Sequence, residues 1–133
     1  MDAQPSRGLH IALWVAQVVL AVAFSMAGFM KLVVPIDEMA RDMSWVYEAR
    51  ELVRFIGAAE VMGAAGLVVP AAMRIKPWLT PLAALGLGLI MLLAMGFHVT
   101  RNELENLPVN LALGGVAAFI AWGRWKKAPI PER

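Results

Sequence analysis

A chain of 133 residues that is 60% apolar and only 17% charged cannot turn a polar helix face to water everywhere, which excludes a soluble fold. The formal charge of +2 comes from basic groups scattered along the flanks of apolar segments rather than gathered in a stripe, which excludes a nucleic-acid surface. The chain has no cysteine, so disulfides, thiol redox chemistry, thiolate metal sites and electron transfer from CxxC pairs to quinones are all excluded.

The first apolar segment, "LHIALWVAQVVLAVAFSMAGFMKLVV", covers about residues 9–34. It is too long for the apolar region of a signal peptide and reads as an uncleaved span closed by Pro35. The next stretch, about residues 36–49, carries Ile36, Met39, Met43, Val46 and Tyr47 at steps of three and four. Asp37, Glu38, Arg41, Asp42 and Glu48 fall mainly elsewhere. That pattern predicts a short helix lying on the membrane surface with Trp45 and Tyr47 at headgroup level, or a lid folded over the bundle.

The second span is expected over about residues 52–73, the third over 79–99 and the fourth over 107–123. A hydrocarbon core of ~30 Å takes about 17–25 helical residues, and each segment fits. The expected fold is therefore one all-α domain, an integral membrane four-helix bundle with a short interfacial helix between the first two spans. Small residues such as Gly57, Ala59, Gly63 and Gly66, Gly86 and Gly88, Gly114 and Gly115 allow close helix approach. A homodimer is compatible with them, and no interface is distinguished.

Charge sets the expected orientation. Arg7, Arg74, Lys76, Arg124, Lys126, Lys127 and Arg133 flank one side with only Asp2 and Glu132, whereas the other side mixes Arg41, Arg50 and Arg101 with Asp37, Glu38, Asp42, Glu48, Glu51, Glu103 and Glu105. The positive-inside rule then places both termini in the cytoplasm.

Polar groups within the spans are few. Lys31, Arg54, His98 and Asn110 lie near the expected outer ends, but Glu60 is ~12 Å deep at 1.5 Å per residue. A carboxylate there must be protonated, paired or in contact with a wet cavity. Lys31 and His98 are the expected partners and Asn110 a neutral hydrogen-bonder, around a polar chamber floored by Glu60. Arg54 can snorkel. The plain alternative is a Glu–Lys pair that only sets helix register. Gln17 and Ser25 are weaker signals, and Ser25 is expected to bond its own backbone. His10 and His98 end opposite sides of the membrane, ~25–30 Å apart, so they cannot share a metal or haem. No phosphate loop, EF-hand or HExxH pattern is present, and no metal site is expected.

The order of these features resembles the DoxX-like branch of the DoxX family. "AFSMAGFMKL" carries Gly28 and Lys31, "VRFIGAAEVMGAAGLVVP" carries Arg54, Gly57 and Glu60, and "FHVTRNELENLPVNLALGGVAAFIAWGR" carries His98, Pro108 and Arg124. The resemblance implies a four-helix protein of the bacterial inner membrane. DoxX is named for an association with thiosulfate:quinone oxidoreductase, and eukaryotic proteins similar to this branch act in receptor assembly and cargo export. The leading expectation is a pocket for a lipophilic molecule with a polar head, a quinone or lipid, within an oxidoreductase assembly. Lys31, Arg54, Glu60, His98 and Asn110 would bind it. Glu60, His98 and Lys31 are the catalytic candidates, with proton transfer between Glu60 and His98 and oxyanion stabilisation by Lys31. No intrinsic cofactor is expected, and a quinone is the one the resemblance admits. The alternative is a non-enzymatic scaffold or assembly factor with a protein partner, in which the Glu60 cluster is structural.

Overall fold

The computed structural model describes residues 6–133, so Asp2, counted above among the flanking acids, lies outside the described residues. Four helices in it are long and apolar enough to cross a membrane. Helix α1 is Arg7–Val33, α3 is Arg50–Met73, α4 is Leu79–Thr100 and α5 is Leu107–Trp122, which with its flanking 3₁₀ and π turns makes the fourth span, Leu104–Lys127; the short α2, Ile36–Asp42, follows α1. No strand occurs among the described residues. The bundle runs α1–α3–α4–α5 in neighbour order, with α1 lying chiefly on α3 and α4 on α5.

Each helix end has a chemical cause. The Ser6 hydroxyl accepts from the Leu9 amide at 3.0 Å and caps α1. Val34 turns extended before Pro35, as a residue preceding proline must, and α1 stops. Helix α3 runs through Pro70 and ends at Arg74 in the left-handed region, φ 57°. Proline has no amide hydrogen, so Pro70 leaves the Gly66 carbonyl without its helical donor. The Thr80 hydroxyl takes that place, donating to Gly66 at 2.9 Å from the neighbouring α4. Pro81 and Pro108 sit in first turns, where a missing amide costs no helical bond.

The buried faces repeat at steps of three and four. They read Leu13, Gln17, Leu20, Phe24 and Gly28 on α1, then Val53, Gly57, Glu60, Ala64, Leu67 and Ala71 on α3. Leu20, Phe24, Ala64, Leu67, Leu87, Met91 and Ile120 form the central core. Around it runs a sleeve of exposed Val, Leu, Ile, Met and Phe, including Val19, Met26, Phe55, Met62, Leu93 and Leu111. Such a sleeve suits acyl chains and would be untenable in water.

The linker between α1 and α3 is not one helix over residues 36–49. It is α2, then a 3₁₀ turn at Ser44–Tyr47. Met39, Val46 and Val53 bury one another, and Trp45 packs edge-on to Phe97 with ring centroids 5.0 Å apart. The Arg101 guanidinium also donates to the Ser44 hydroxyl at 3.3 Å. The segment is therefore bound to the end of α4. Tyr47, expected on the apolar stripe, is instead exposed and donates to Asp37 at 3.1 Å. Ser25, expected to bond its own helix, faces outward, and no side-chain hydrogen bond from it occurs among the described residues.

Candidate functional site

Lys31 and Glu60 meet because two glycines let their helices touch. A Cβ placed on Gly28 would lie 2.7 Å from the Gly57 carbonyl, and one on Gly57 would lie 2.8 Å from the Gly28 carbonyl. At that separation the Lys31 ammonium reaches Glu60 Oε1 at 2.8 Å. Glu60 is 2% exposed, while a fifth of the Lys31 side chain remains open. The short contact satisfies charge but is badly aligned as a hydrogen bond, so Oε1 has no directed donor. The carboxylate is neutralised without being saturated.

Arg54 stands one and a half turns before Glu60 on α3. It does not touch the carboxylate. Its Nη1 donates to the carbonyls of Lys31 at 2.7 Å and Val34 at 3.1 Å. These are last-turn carbonyls of α1 that have no helical donor, and the guanidinium also suits the negative end of that helix.

The expected pairing of Glu60 with His98 is not formed. His98 Nδ1 instead lies 3.1 Å from Glu103 Oε1, and Arg101 Nε is 3.5 Å from the same oxygen. Glu103 is near in sequence and the chain turns back at Asn102, φ 58°, so a local partner outcompetes a distant one. Asn110 faces inward on α5, and its Nδ2 is buried with no hydrogen-bond partner. Glu60 Oε1 and Asn110 Nδ2 are the two buried side-chain atoms in this condition among the described residues. One accepts and one donates.

Neither described cavity has Glu60 in its lining. A groove of about 500 Å³ runs along α4 and α5 past Gly88, Leu92, Met95, Leu111, Gly114 and Gly115. A cleft of about 280 Å³ lies at the opposite end of the bundle, by Trp78, Arg124 and Trp125. Beside Glu60, α1 packs directly on α3 through the Gly28–Gly57 contact.

A second polar cluster, at the end that carries both termini, was not anticipated as a unit. Arg124 is 2% exposed. Its Nε donates to Gln17 Oε1 at 2.6 Å, and its Nη1 donates to the Ala128 carbonyl at 2.9 Å and contacts His10 Nδ1 at 3.1 Å. Gln17 in turn donates to the Leu67 carbonyl at 2.6 Å. After Gly123 the helix widens to a π turn, with the Ala128 amide bonded to the Gly123 carbonyl at 2.7 Å. That turn brings the Ala128 carbonyl back to the guanidinium. Arg124 also sits over the Trp14 ring, 5.6 Å from its centroid. The signal in the sequence is spacing: Gln17 continues the Leu13–Leu20–Phe24 stripe, and Arg124 follows Ala117 and Ile120 by the same steps.

No group of His, Asp and Glu among the described residues could hold a metal ion. A family model described as the DoxX-like family matches residues 15–120. The chain belongs to the DoxX-like family. The match reaches from within α1 to within α5 and includes Lys31, Arg54, Glu60, His98 and Asn110. No curated protein and no solved structure matches this DoxX-like chain. It is a multi-pass membrane protein of that family, and the fold is the four-helix bundle the family resemblance implied.

Proposed function

We propose that this DoxX-like protein binds a lipophilic molecule with a polar head, a quinone or a lipid, in the half of the bundle that holds Glu60. The observation that carries the reading is Asn110 Nδ2, buried with no hydrogen-bond partner, together with Glu60 Oε1, whose one contact is its ion pair with Lys31. A buried polar atom without a partner costs about 1–3 kcal/mol. A head group offering both a hydroxyl and a carbonyl oxygen would satisfy the acceptor and the donor together. Lys31 neutralises Glu60, Arg54 holds the end of α1, and His98, paired with Glu103, is proposed to meet the head group from the end of α4. The apolar groove along α4 and α5 is of a size that seats a ligand tail.

The membrane is proposed to be the bacterial inner membrane with both termini cytoplasmic, on the bias of basic residues toward one end. Membership of an oxidoreductase assembly is proposed from family resemblance. The chain would supply the ligand site and a partner the redox centre.

One observation favours a second reading. The Gly28–Gly57 contact beside the Lys31–Glu60 pair is what a scaffold needs to lock two helices in register. The two readings separate in one experiment. Protein purified in mild detergent is analysed by native mass spectrometry and organic extraction, alongside Glu60→Gln and Asn110→Leu. Retention of a quinone or lipid by wild type, and its loss from both variants at unchanged melting temperature, is the expected result. Ligand-free wild type, with Glu60→Gln melting early, supports the lock and overturns binding.

A further inference from the structure

The cleft at the terminal end of the bundle pairs two opposite charges that do not meet. Arg124 and Glu132 both line it, with Pro77, Trp78, Pro81 and Trp125. No ion pair to either is formed among the described residues. Arg124 is deeply buried, yet no carboxylate is among its partners, which are an amide, an imidazole and carbonyls. Its Nη2 has one contact, at 3.5 Å to the His10 carbonyl, for two N–H groups. A buried cation without a counter-ion is costly unless an anion reaches it.

Glu132 is held over this cleft. The residues on both sides of it are tied to Arg74, which donates through Nε to the Pro131 carbonyl at 2.9 Å and accepts from the Arg133 amide at 3.0 Å. Arg74 itself is fixed in the left-handed region as the cap of α3. Glu132 thus lines the cleft from a tethered strap. Trp78 and Trp125 are both more than half exposed beside it, in the place where indoles mark the headgroup level.

We infer that this cleft binds a zwitterionic phosphate–ammonium head group, with the phosphate on Arg124 and the ammonium on Glu132. A simple anion would meet the Glu132 carboxylate, and a simple cation would meet Arg124. A group bearing both charges a few bonds apart matches both. Guanidinium groups suit phosphate oxygens, and the indole faces favour an ammonium. The site is separate from the Glu60 region and does not depend on the reading proposed there.

The test uses the full chain in detergent, exchanged with phosphatidylethanolamine and phosphatidylglycerol in equal amounts and examined by native mass spectrometry. Wild type should keep the ethanolamine lipid over the glycerol lipid by about fivefold, the scale of one partly exposed charge pair. Arg124→Gln should keep neither lipid, but it removes a buried group and risks the fold. Glu132→Gln, on the exposed strap, is therefore the deciding variant and should abolish the preference by raising retention of the glycerol lipid. Soluble phosphoethanolamine distinguishes the source. Displacement of the lipid by it at millimolar level means the head group alone is recognised, and no displacement means the site takes the membrane lipid. Equal retention of the two lipids by wild type, or a preference that survives Glu132→Gln, overturns the assignment.

Discussion

Gly28 and Gly57 face each other across α1 and α3 so closely that either Cβ would fall within 3 Å of the other's carbonyl oxygen. This contact sets the distance at which Lys31 can reach Glu60. Replacing either glycine by alanine should cost about 1–3 kcal/mol through forced separation of the helices. Gly86→Ala and Gly115→Ala, where a Cβ would meet nothing within 4 Å, should change stability by no more than about 0.5 kcal/mol. Thermal unfolding in detergent measures all four, and equal losses would refute the close-contact account.

Lys31→Met should be the most harmful change in the Glu60 cluster. It leaves the carboxylate buried and unpaired, at a cost of about 3–5 kcal/mol. Glu60→Gln is milder, because Lys31 is partly open and can extend toward headgroups. Lys31→Met combined with Glu60→Leu should recover most of the loss. A double-mutant cycle on melting temperature reads the coupling, and additive losses would show that the pair contributes nothing.

Gln17→Leu breaks two buried bonds at once, from Arg124 Nε and to the Leu67 carbonyl. The expected loss is about 1–3 kcal/mol for each polar group left unmatched. Ser25→Ala, one helical stripe away and facing outward, should be silent. Urea is a weak denaturant for such bundles, so heat or steric trapping is the preferred readout.

Tyr47 is the sole tyrosine of the chain, which makes its phenolate absorbance unambiguous. Its hydrogen bond to Asp37, and then the charge of that carboxylate, raise the phenol above its usual 10.0. The sign follows directly. Both effects favour the protonated phenol, so the bond's contribution is present below the ordinary phenol range and is lost as pH rises through the raised value. A spectrophotometric titration should give a midpoint above 10.0, and Asp37→Asn should bring it back down. An unchanged midpoint in Asp37→Asn would show that the bond does not persist in solution.

Much of the architecture was readable from residue order. The spans expected at 9–34, 52–73, 79–99 and 107–123 differ from the helices by at most two residues at any end, because apolar length and helix-stopping residues are local properties. The linker was read less well. Its apolar steps suited one continuous helix, but docking of Trp45 on Phe97 favours a break and a 3₁₀ turn, and that contact joins residues far apart in the chain.

The sites divide in the same way. Lys31 with Glu60 was legible because a deep carboxylate demands a base, and few bases lie in the same half of the spans. The failure of His98 to join them was not, since Glu103 could take the imidazole only once the α4–α5 turn had its shape. Arg124 looked like a flanking charge because a position near a helix end does not reveal which way the side chain points.

Composition and apolar length alone determined that four rods are long and apolar enough to cross a membrane, since transfer of the backbone into hydrocarbon admits few other solutions. Tertiary structure alone decided which polar groups meet. Hydrogen bonds and ion pairs act over about 3 Å, and only the mutual rotation and approach of the rods brings Gln17 to Arg124 and Lys31 to Glu60, or leaves the Asn110 amide unmatched.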